Sequence, residues 1–331
     1  MAAPGPRRPG WLKRLRYRLE AGVLLGLLGL IRLIDVDRAS DLAGRIGRRA
    51  AGLLDRPTTR ANIRIAYPDA DDDRVRQLLG DMGENFGRTL AESAHLDKFM
   101  TEAGRARFRY EGLEHLEAAT ARQRPLLFIS GHFGNFELAF VALHHLGLRT
   151  AAVTRRPNNP YVADWFAENR ARLGFSDQLP KGADGTRQMA AMFRRGGNVG
   201  MLVDQHLAQG VPVPLFGRPA MTVHSPAILA IDLDLSVVPF AVRRDQGVHF
   251  TVVFHPPILP PGSGNEGRDV LAMTAALNAF VEAEVRARPG HWLWMHRRWK
   301  PVPELSRRAL RIFAEAGAEP GETGVPWPSD G

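Results

Sequence analysis

The sequence predicts an α/β protein: a central, mostly parallel or mixed sheet flanked by helices, with a further helical segment at the N-terminus. Two observations support this class. After Pro125, short β-like runs (PLLFIS, RTAAVT, NVGMLV, SVVPFAV, HFTVVF) alternate with helical stretches such as FELAFVALHHLG and VADWFAENRARLG. This alternation is typical of helices that pack on a sheet. Before that point the apolar residues recur three or four apart, which is the period of an amphipathic helix.

Composition narrows the functional classes. The chain has 331 residues, of which 44% are hydrophobic and 24% charged, so it can bury a sizeable core. The net charge of +9 would suit nucleic acid, an anionic membrane surface or an acidic partner. There is no cysteine, which excludes disulfides, thiolate metal sites and cysteine nucleophiles. No metal-binding, Walker or serine-hydrolase motif is present, so neither a metal nor a cofactor is predicted.

The N-terminal segment, residues 1–36, begins with a basic stretch, WLKRLRYRLE, with Arg8 just before it. The apolar run Ala21–Ile34 follows, interrupted by Arg32, and it falls short of the ~20 residues that span a bilayer. It has no small-residue cleavage site of the kind found in a secretory signal. We therefore expect an amphipathic helix anchored on a membrane surface; a short span and a buried core helix are the alternatives.

Three further regions are predicted after this segment. Residues 37–120 are expected to be helical, because DRVRQLLGDMGENFGRTLAESAHL places Val75, Leu78, Leu79, Met82 and Phe86 at helical spacing. Residues 121–305 carry the α/β pattern. Residues 306–331 are predicted to form a C-terminal helix and, from about Gly317, a Gly/Pro-rich disordered tail.

The most informative stretch is LLFISGHFGNFEL, where an apolar strand turns into an apolar helix. Residues five apart lie about 140° around a continuous helix, so His132 and Glu137 can meet only if His132 lies in the turn. Gly131 and Gly134 allow such a turn, and Asn135 is a favourable N-cap. This geometry predicts a histidine at the strand end, a carboxylate at the helix start and backbone N–H groups directed to the same place.

A histidine–carboxylate pair suits the transfer of an acyl group to a hydroxyl. Histidine can take the hydroxyl proton near neutral pH, and a carboxylate on its other ring nitrogen fixes the tautomer. We predict His132 as the general base and Glu137 as its orienting carboxylate, with backbone N–H groups or an arginine stabilising the oxyanion. In the alternative, Glu137 only stabilises its helix dipole and His132 is an ordinary turn residue.

Other candidate site residues follow predicted strands. Arg156, after RTAAVT, is expected to bind a phosphate, and the alternative is a turn-capping surface arginine. Arg170 lies mid-helix and could face the site or solvent. Asp204 and Gln205 follow NVGMLV, where Asp204 could order Arg170 or bind an acceptor sugar, or simply mark a turn. Arg218, after Gly217, could line the donor or phosphate channel.

The segment HWLWMHRRWK mixes Trp292, Trp294 and Trp299 with basic residues. We expect it near a membrane-facing mouth, where indole rings and cations meet lipid headgroups. Inward packing of alternate residues on a strand and stacking on nucleic-acid bases are the alternatives.

Taken together, SGHFGNFE, RRPNNP, VDQH, VPVPLFGRPAMT and HWLWMHRRWK resemble the bacterial lipid A biosynthesis acyltransferase family, the lauroyl/myristoyl group of the wider glycerolipid acyltransferase superfamily. The resemblance extends over roughly residues 10–305 with the motifs in consistent order. His132 and Glu137 match the family's H-x4-D/E dyad.

This resemblance implies transfer of a fatty acyl chain from an acyl thioester, usually of acyl carrier protein, with coenzyme A as the other donor. The acceptor would be a hydroxyl of a lipid A precursor at the cytoplasmic face of the inner membrane, among its lipids. The alternatives are acylation of another glycolipid or phospholipid, such as a phosphatidylinositol mannoside or a lysolipid, and a non-catalytic membrane scaffold. A nucleic-acid partner is not expected.

Overall fold

The computed structural model describes residues 11–154, 157–174, 177–302 and 304–319. Its centre is a seven-stranded sheet, and a separate two-stranded antiparallel ribbon lies beside it. The strands are, in chain order, β1 (Phe108–Glu111), β2 (Leu126–Ser130), β3 (Thr150–Thr154), β4 (Gln178–Pro180), β5 (Asn198–Leu202), β6 (Val211–Leu215), β7 (Arg218–Thr222), β8 (Ser236–Gln246) and β9 (His249–Phe254).

The large sheet has the order β1-β9-β8-β2-β5-β3-β4, and only the β8–β9 pair within it is antiparallel. The helices are α1 (Trp11–Ile31), α2 (Val36–Arg49), α3 (Pro57–Ala66), α4 (Asp72–Ser93), α5 (Leu96–Phe99), α6 (Glu102–Arg105), α7 (Leu113–Thr120), α8 (Ala139–His145), α9 (Pro160–Arg172), α10 (Ala183–Arg194), α11 (Ser225–Leu233), α12 (Glu266–Ala287) and α13 (Arg307–Ala316). Short 3₁₀ turns occupy Ala50–Leu54, Phe136–Leu138 and Pro289–His291.

Strand β2 shows why these residues form the middle of the sheet. All five of its residues are buried, as expected for a parallel strand covered on both faces. Alternate side chains of a strand point to opposite faces, and here Leu127 and Ile129 enter one apolar cluster while Leu126 and Phe128 enter the other. The two clusters are therefore the cores on the two sides of one sheet, and the end of β2 lies between them.

The predicted α/β class with a mostly parallel sheet is confirmed, and each of the five predicted strand runs is a strand. Three features were not predicted. Residues Phe108–Glu111 form β1, within a region expected to be helical throughout, because they pair with β9 at one edge of the sheet. The short edge strand β4 and the β6–β7 ribbon also lacked a clear alternating pattern.

The N-terminal segment forms the helix α1, which includes both the basic stretch and most of the apolar run. Among the described residues no helix is long and apolar enough to cross a membrane. Residues 1–10 and 320–331, which include Arg8 and most of the predicted tail, lie outside the described residues. The boundaries of the four predicted regions stay predictions.

Candidate active site

His132 lies in the turn after β2, at the carboxyl end of the sheet. Behind it, Gly134 has a φ of +58°, and a Cβ there would overlap the carbonyl oxygen of Val242, so the turn requires glycine. Asn135 is the N-cap of the 3₁₀ turn Phe136–Leu138, as predicted, and accepts from the N–H of Glu137 at 3.1 Å. The local sequence thus places an imidazole at the edge of the sheet.

A buried ionic network holds this turn from the inside. The Nδ2 of Asn135 donates to Glu92 Oε2 at 2.5 Å, and Arg244 donates to both oxygens of the same carboxylate at 2.5 and 2.8 Å. Glu92 is 0% exposed and Arg244 is 7% exposed. A second side chain, Asn85, donates to the carbonyl of Gly134 at 2.9 Å. Helix α4, which carries Glu92 and Asn85, and strand β8, which carries Arg244, therefore fix the backbone around His132.

Asp204 is the carboxylate that contacts the imidazole. His132 Nδ1 lies 2.8 Å from Asp204 Oδ1, and the backbone N–H of His132 donates to Asp204 Oδ2 at 2.9 Å. The indole N–H of Trp292 donates to the same Oδ2 at 2.8 Å. Strands β2 and β5 are parallel neighbours with Ser130 opposite Leu202, so the residues two positions beyond each strand meet at the sheet edge.

This environment keeps Asp204 ionised. Its side chain is 1% exposed, and such burial by itself would raise the pKa of the carboxyl group. The imidazole and the hydrogen bonds from His132 and Trp292 outweigh burial and hold the pKa of Asp204 well below its ordinary value. An ionised Asp204 accepts the Nδ1 proton of His132, which leaves the Nε2 lone pair as the base.

The prediction that Glu137 orients His132 is therefore wrong in its geometry. Glu137 Oε2 accepts from Arg170 Nη2 at 3.2 Å, and the 3₁₀ turn directs its side chain towards α9. Asp204 likewise does not order Arg170, as the sequence had suggested; Glu137 does. Asp204 therefore contacts His132, and Glu137 contacts Arg170, which is the reverse of the pairing suggested by the sequence.

The predicted oxyanion site in the turn also differs from the structure. The backbone N–H groups of the turn were expected to be free to bind substrate. Several already have acceptors within the protein, namely those of His132, Gly134, Asn135, Glu137 and Leu138. These five N–H groups are therefore not available to a substrate, and side chains near the imidazole become candidate donors for the oxyanion.

Gln205, the neighbour of Asp204, lies against the free edge of the imidazole. Its Nε2 is 3.3 Å from His132 Nε2 and 3.1 Å from the Nε2 of His296. Its Oε1 accepts from Lys181 at 3.3 Å. His296 was not predicted as a site residue; its only signal in the sequence was a histidine within HWLWMHRRWK. Burial, together with the adjacent His132, lowers the pKa of His296, so its ring is neutral near pH 7.

The tryptophans of that segment correct another prediction. Trp292 and Trp294 are 1% and 0% exposed and belong to the core, so they do not lie at a membrane-facing mouth. Arg298 is also fully buried and donates to the carbonyl of Met221 at 2.9 Å. These residues pack inward, but not as alternate positions of a strand, because the segment is not a strand and Leu293 between them is buried too.

A large cavity opens beside the imidazole. Its volume is about 1410 Å³, above the ≈300–1,000 Å³ of a usual small-molecule site. Polar side chains that line it include His132, Glu137, Asp164, Glu168, Arg170, Lys181, Gln205 and His296. Apolar side chains that line it include Leu96, Phe136, Phe140, Val153, Phe166, Leu179, Met201 and Leu202.

Of the two other predicted arginines, Arg156 and Arg218, only Arg218 belongs to the described residues. Arg218 is exposed at the start of β7 and is not among the residues that line the cavity, so its predicted channel role stays a prediction. Arg156 lies outside the described residues, and its predicted role in binding phosphate stays a prediction.

An ionised carboxylate, the imidazole of His132 in contact with it and a large cavity with apolar lining together define a site for general-base chemistry on an apolar substrate. Comparison with known proteins agrees with this class. The profile of the bacterial lipid A biosynthesis acyltransferase family matches residues 9–301. The chain belongs to this family and is an acyltransferase.

Individual relatives are similar over most of their length. The chain is 26% identical to the lipid A biosynthesis lauroyltransferase of Escherichia coli (strain K12) over 269 residues, covering 80% of this chain and 83% of the relative. It is 24% identical to a lipid A biosynthesis acyltransferase of Haemophilus influenzae over 273 residues, covering 80% and 82%. It is also 29% identical to the phosphatidylinositol mannoside acyltransferase of Mycobacterium tuberculosis (strain H37Rv) over 206 residues, or 60% of this chain and 62% of the relative.

Proposed function

We propose that this acyltransferase moves a fatty acyl chain from an acyl thioester to a hydroxyl of a lipid A precursor. The observation that carries the proposal is the His132–Asp204 contact of 2.8 Å at the wall of the large apolar cavity. Two lines of comparison support the acceptor class: the family profile, and relatives whose names refer to lipid A biosynthesis.

In the proposed reaction His132 Nε2 accepts the proton of the acceptor hydroxyl while its oxygen attacks the thioester carbonyl carbon. The carbonyl π pair moves onto oxygen, and Asp204 stabilises the imidazolium that forms. When the tetrahedral intermediate collapses, the C–S bond breaks and the proton passes from His132 to the leaving thiolate. The products are an ester and a free thiol, and the base is regenerated.

The lining of the cavity suits both parts of such a substrate. Phe136, Phe140, Met201 and other apolar side chains provide the surface along which an acyl chain loses contact with water. Arg170, held by Glu137, offers a cation in the wall of the cavity. We propose that it binds a phosphate of the acceptor, or of the phosphopantetheine arm that carries the acyl group on acyl carrier protein.

We further propose that the protein works at the cytoplasmic face of the inner membrane, with α1 lying among its lipids. Helix α1 exposes a row of apolar side chains at helical spacing: Trp11, Leu15, Leu19, Val23, Leu27 and Leu30, which are between 49% and 75% exposed. Full burial of one such side chain contributes roughly 1.5–3 kcal/mol of favourable transfer free energy. The basic residues before Leu19 suit anionic lipid headgroups.

The position of α1 supports a link between the membrane and the cavity. Arg18 Nε donates to the hydroxyl of Tyr161 at 3.0 Å, and Asn159 donates to the carbonyl of Tyr17 at 2.8 Å. Tyr161 belongs to α9, whose Phe166 and Arg170 line the cavity. A helix α1 that lies in the lipid surface would therefore bring the cavity close to lipid substrates.

The experiment is an acyl-transfer assay in mixed micelles. The purified protein is given a radiolabelled acyl chain on acyl carrier protein or on coenzyme A. Each donor is paired with a lipid A precursor, a phosphatidylinositol mannoside or a lysophospholipid. We expect transfer to the lipid A precursor and preference for the carrier-protein donor. His132→Ala should lose a factor of roughly 10²–10⁴ in rate.

The matched control is His144→Ala, at an exposed histidine of α8, which should keep the parental rate. If the protein acylates only another class of acceptor, that class replaces the lipid A precursor as the proposed substrate. Parental turnover by His132→Ala would exclude it as the base.

A further inference from the structure

The side chain of Gln205 occupies the position where the acceptor hydroxyl must bind. Because Nδ1 of His132 donates to Asp204, Nε2 of the same ring is an acceptor and requires a donor opposite it. The group found there is the side-chain amide of Gln205, with its Nε2 at 3.3 Å. A substrate hydroxyl that delivers its proton to His132 must come to this same place.

The orientation of the amide is fixed by two other contacts. Its oxygen accepts from Lys181 Nζ at 3.3 Å, so the NH2 group faces the imidazoles. Its second N–H has an acceptor in His296 Nε2 at 3.1 Å. The backbone of His296 is held in turn, because Asn62 Nδ2 donates to its carbonyl at 2.5 Å and to that of Trp294 at 2.8 Å.

A hydroxyl that replaces Gln205 at His132 leaves one amide N–H without a partner beside the reacting carbon. The other N–H keeps its acceptor in His296. Since five backbone N–H groups of the turn already have acceptors inside the protein, a side-chain N–H beside the reacting carbon is a candidate donor where negative charge develops. An amide so placed is suited to an oxyanion, because it costs no reorganisation during the reaction.

We propose that Gln205 is a catalytic residue that donates to the oxyanion of the tetrahedral intermediate, and that His296 is its positioning residue. This inference rests on the acyl-transfer function proposed above. The oxyanion forms as the acceptor C–O bond is made and the carbonyl pair moves onto oxygen. It disappears when C=O is restored and the thiolate leaves, so the amide gives up no proton.

The test compares variants of Gln205 in the steady-state assay with the acceptor that the wild type uses. Gln205→Met keeps the length of the side chain without the N–H groups, and Gln205→Glu replaces them with a negative acceptor. We expect kcat to fall by roughly 10²–10³ in both variants, while KM for the acceptor changes less than about threefold. Gln188→Met, on the exposed side of α10, should retain the wild-type kcat.

The positioning role of His296 has its own comparison. His296→Phe removes the acceptor for the amide and should lower kcat by about tenfold. His296→Gln restores an acceptor oxygen and should recover most of that loss, which a purely space-filling role would not produce. If Gln205→Met keeps kcat within tenfold, or if it raises only KM, the inference is overturned.

A measurement without turnover separates this inference from the proposed function. In ¹⁵N NMR of the histidine-labelled protein, Gln205→Met should shift the Nε2 resonance of His132, which loses its hydrogen-bond donor. No change would overturn the contact on which the inference rests. If the wild type transfers no acyl chain to any acceptor while the resonance does shift, the proposed function is refuted. The contact between Gln205 and His132 is then still supported.

Discussion

Replacing Asp204 with asparagine tests the identity of the carboxylate that serves His132. The substitution keeps the size of the side chain and removes its charge. Asp204 accepts three hydrogen bonds, at 2.8, 2.9 and 2.8 Å, and all three donors are N–H groups. The NH2 group of asparagine cannot accept from any of them. An asparagine that keeps its oxygen towards Trp292 and the backbone therefore directs N–H at the imidazole, which reverses the tautomer of His132.

The expected loss can be worked from the geometry. With charge centres about 4 Å apart and an effective dielectric constant near 20, the imidazolium–carboxylate attraction is about 4 kcal/mol. This is a factor of about 10³ in rate if the attraction is lost in the transition state. The reversed tautomer adds to that, so we expect kcat to fall by at least about 10³, with KM for either substrate nearly unchanged.

Glu137→Gln serves as the comparison, because Glu137 pairs with Arg170 at 3.2 Å and not with the imidazole. We expect it to raise KM and to lower kcat by less than about tenfold. Both variants should be assayed at saturating acyl donor, after urea denaturation has shown that each is folded. If Asp204→Asn keeps kcat within tenfold while Glu137→Gln loses about 10³, our reasoning is refuted and Glu137 is the orienting carboxylate.

Three further predictions concern other parts of the molecule. Val23→Glu on α1 should weaken binding to anionic vesicles by at least tenfold in a flotation assay, whereas Leu310→Glu, another exposed apolar position, should not. Gly134→Ala should cost at least about 1–3 kcal/mol of unfolding free energy through strain and overlap, measured by urea denaturation. Gly147→Ala, at a φ of +75° but with nothing within 4 Å of its Cβ, should cost only the backbone strain of about 1–2 kcal/mol, less than Gly134→Ala. Burial lowers the pKa of His224 to about 4, so as pH falls below about 6.5 the unfolded chain binds a proton that the folded protein does not. Stability is therefore lost between about pH 6.5 and 4, and His224→Phe should lose about 2 kcal/mol less than the wild type from pH 7 to 5.

Each of these predictions has an outcome that contradicts it. Equal vesicle binding by the Val23 and Leu310 variants would show that α1 does not contact the membrane. Equal costs at Gly134 and Gly147 would mean that the turn can relax away from its neighbour. A parallel loss of stability in the wild type and in His224→Phe would show that other groups take up the proton.

Much of the fold follows from local sequence patterns. The short apolar runs of β2, β5 and β8 predicted strands, and their alternation with helical stretches predicted a mostly parallel or mixed sheet between helices. Strand β1 could not be found in this way, because its four residues alternate between buried and exposed inside a region of helical spacing. Its pairing with β9, more than a hundred residues later in the chain, is what makes it a strand.

The sequence by itself determined that an imidazole stands at the end of a strand. Gly134, Asn135 and the change from strand to helix act within a few residues, and local backbone preferences are enough to place His132 in the turn. The sequence could also place Asp204 at the end of another strand. It could not say that the two strands are neighbours.

The tertiary structure decided which groups share the imidazole. Parallel pairing of β2 with β5 brings Asp204 to one ring nitrogen, and the turn of chain after α12 brings Trp292 and His296 to the same place. Glu137 is much nearer in sequence, yet the rotation of its 3₁₀ turn directs it to Arg170. Distance along the chain does not fix direction in space, because a side chain's direction depends on the backbone that the whole fold imposes.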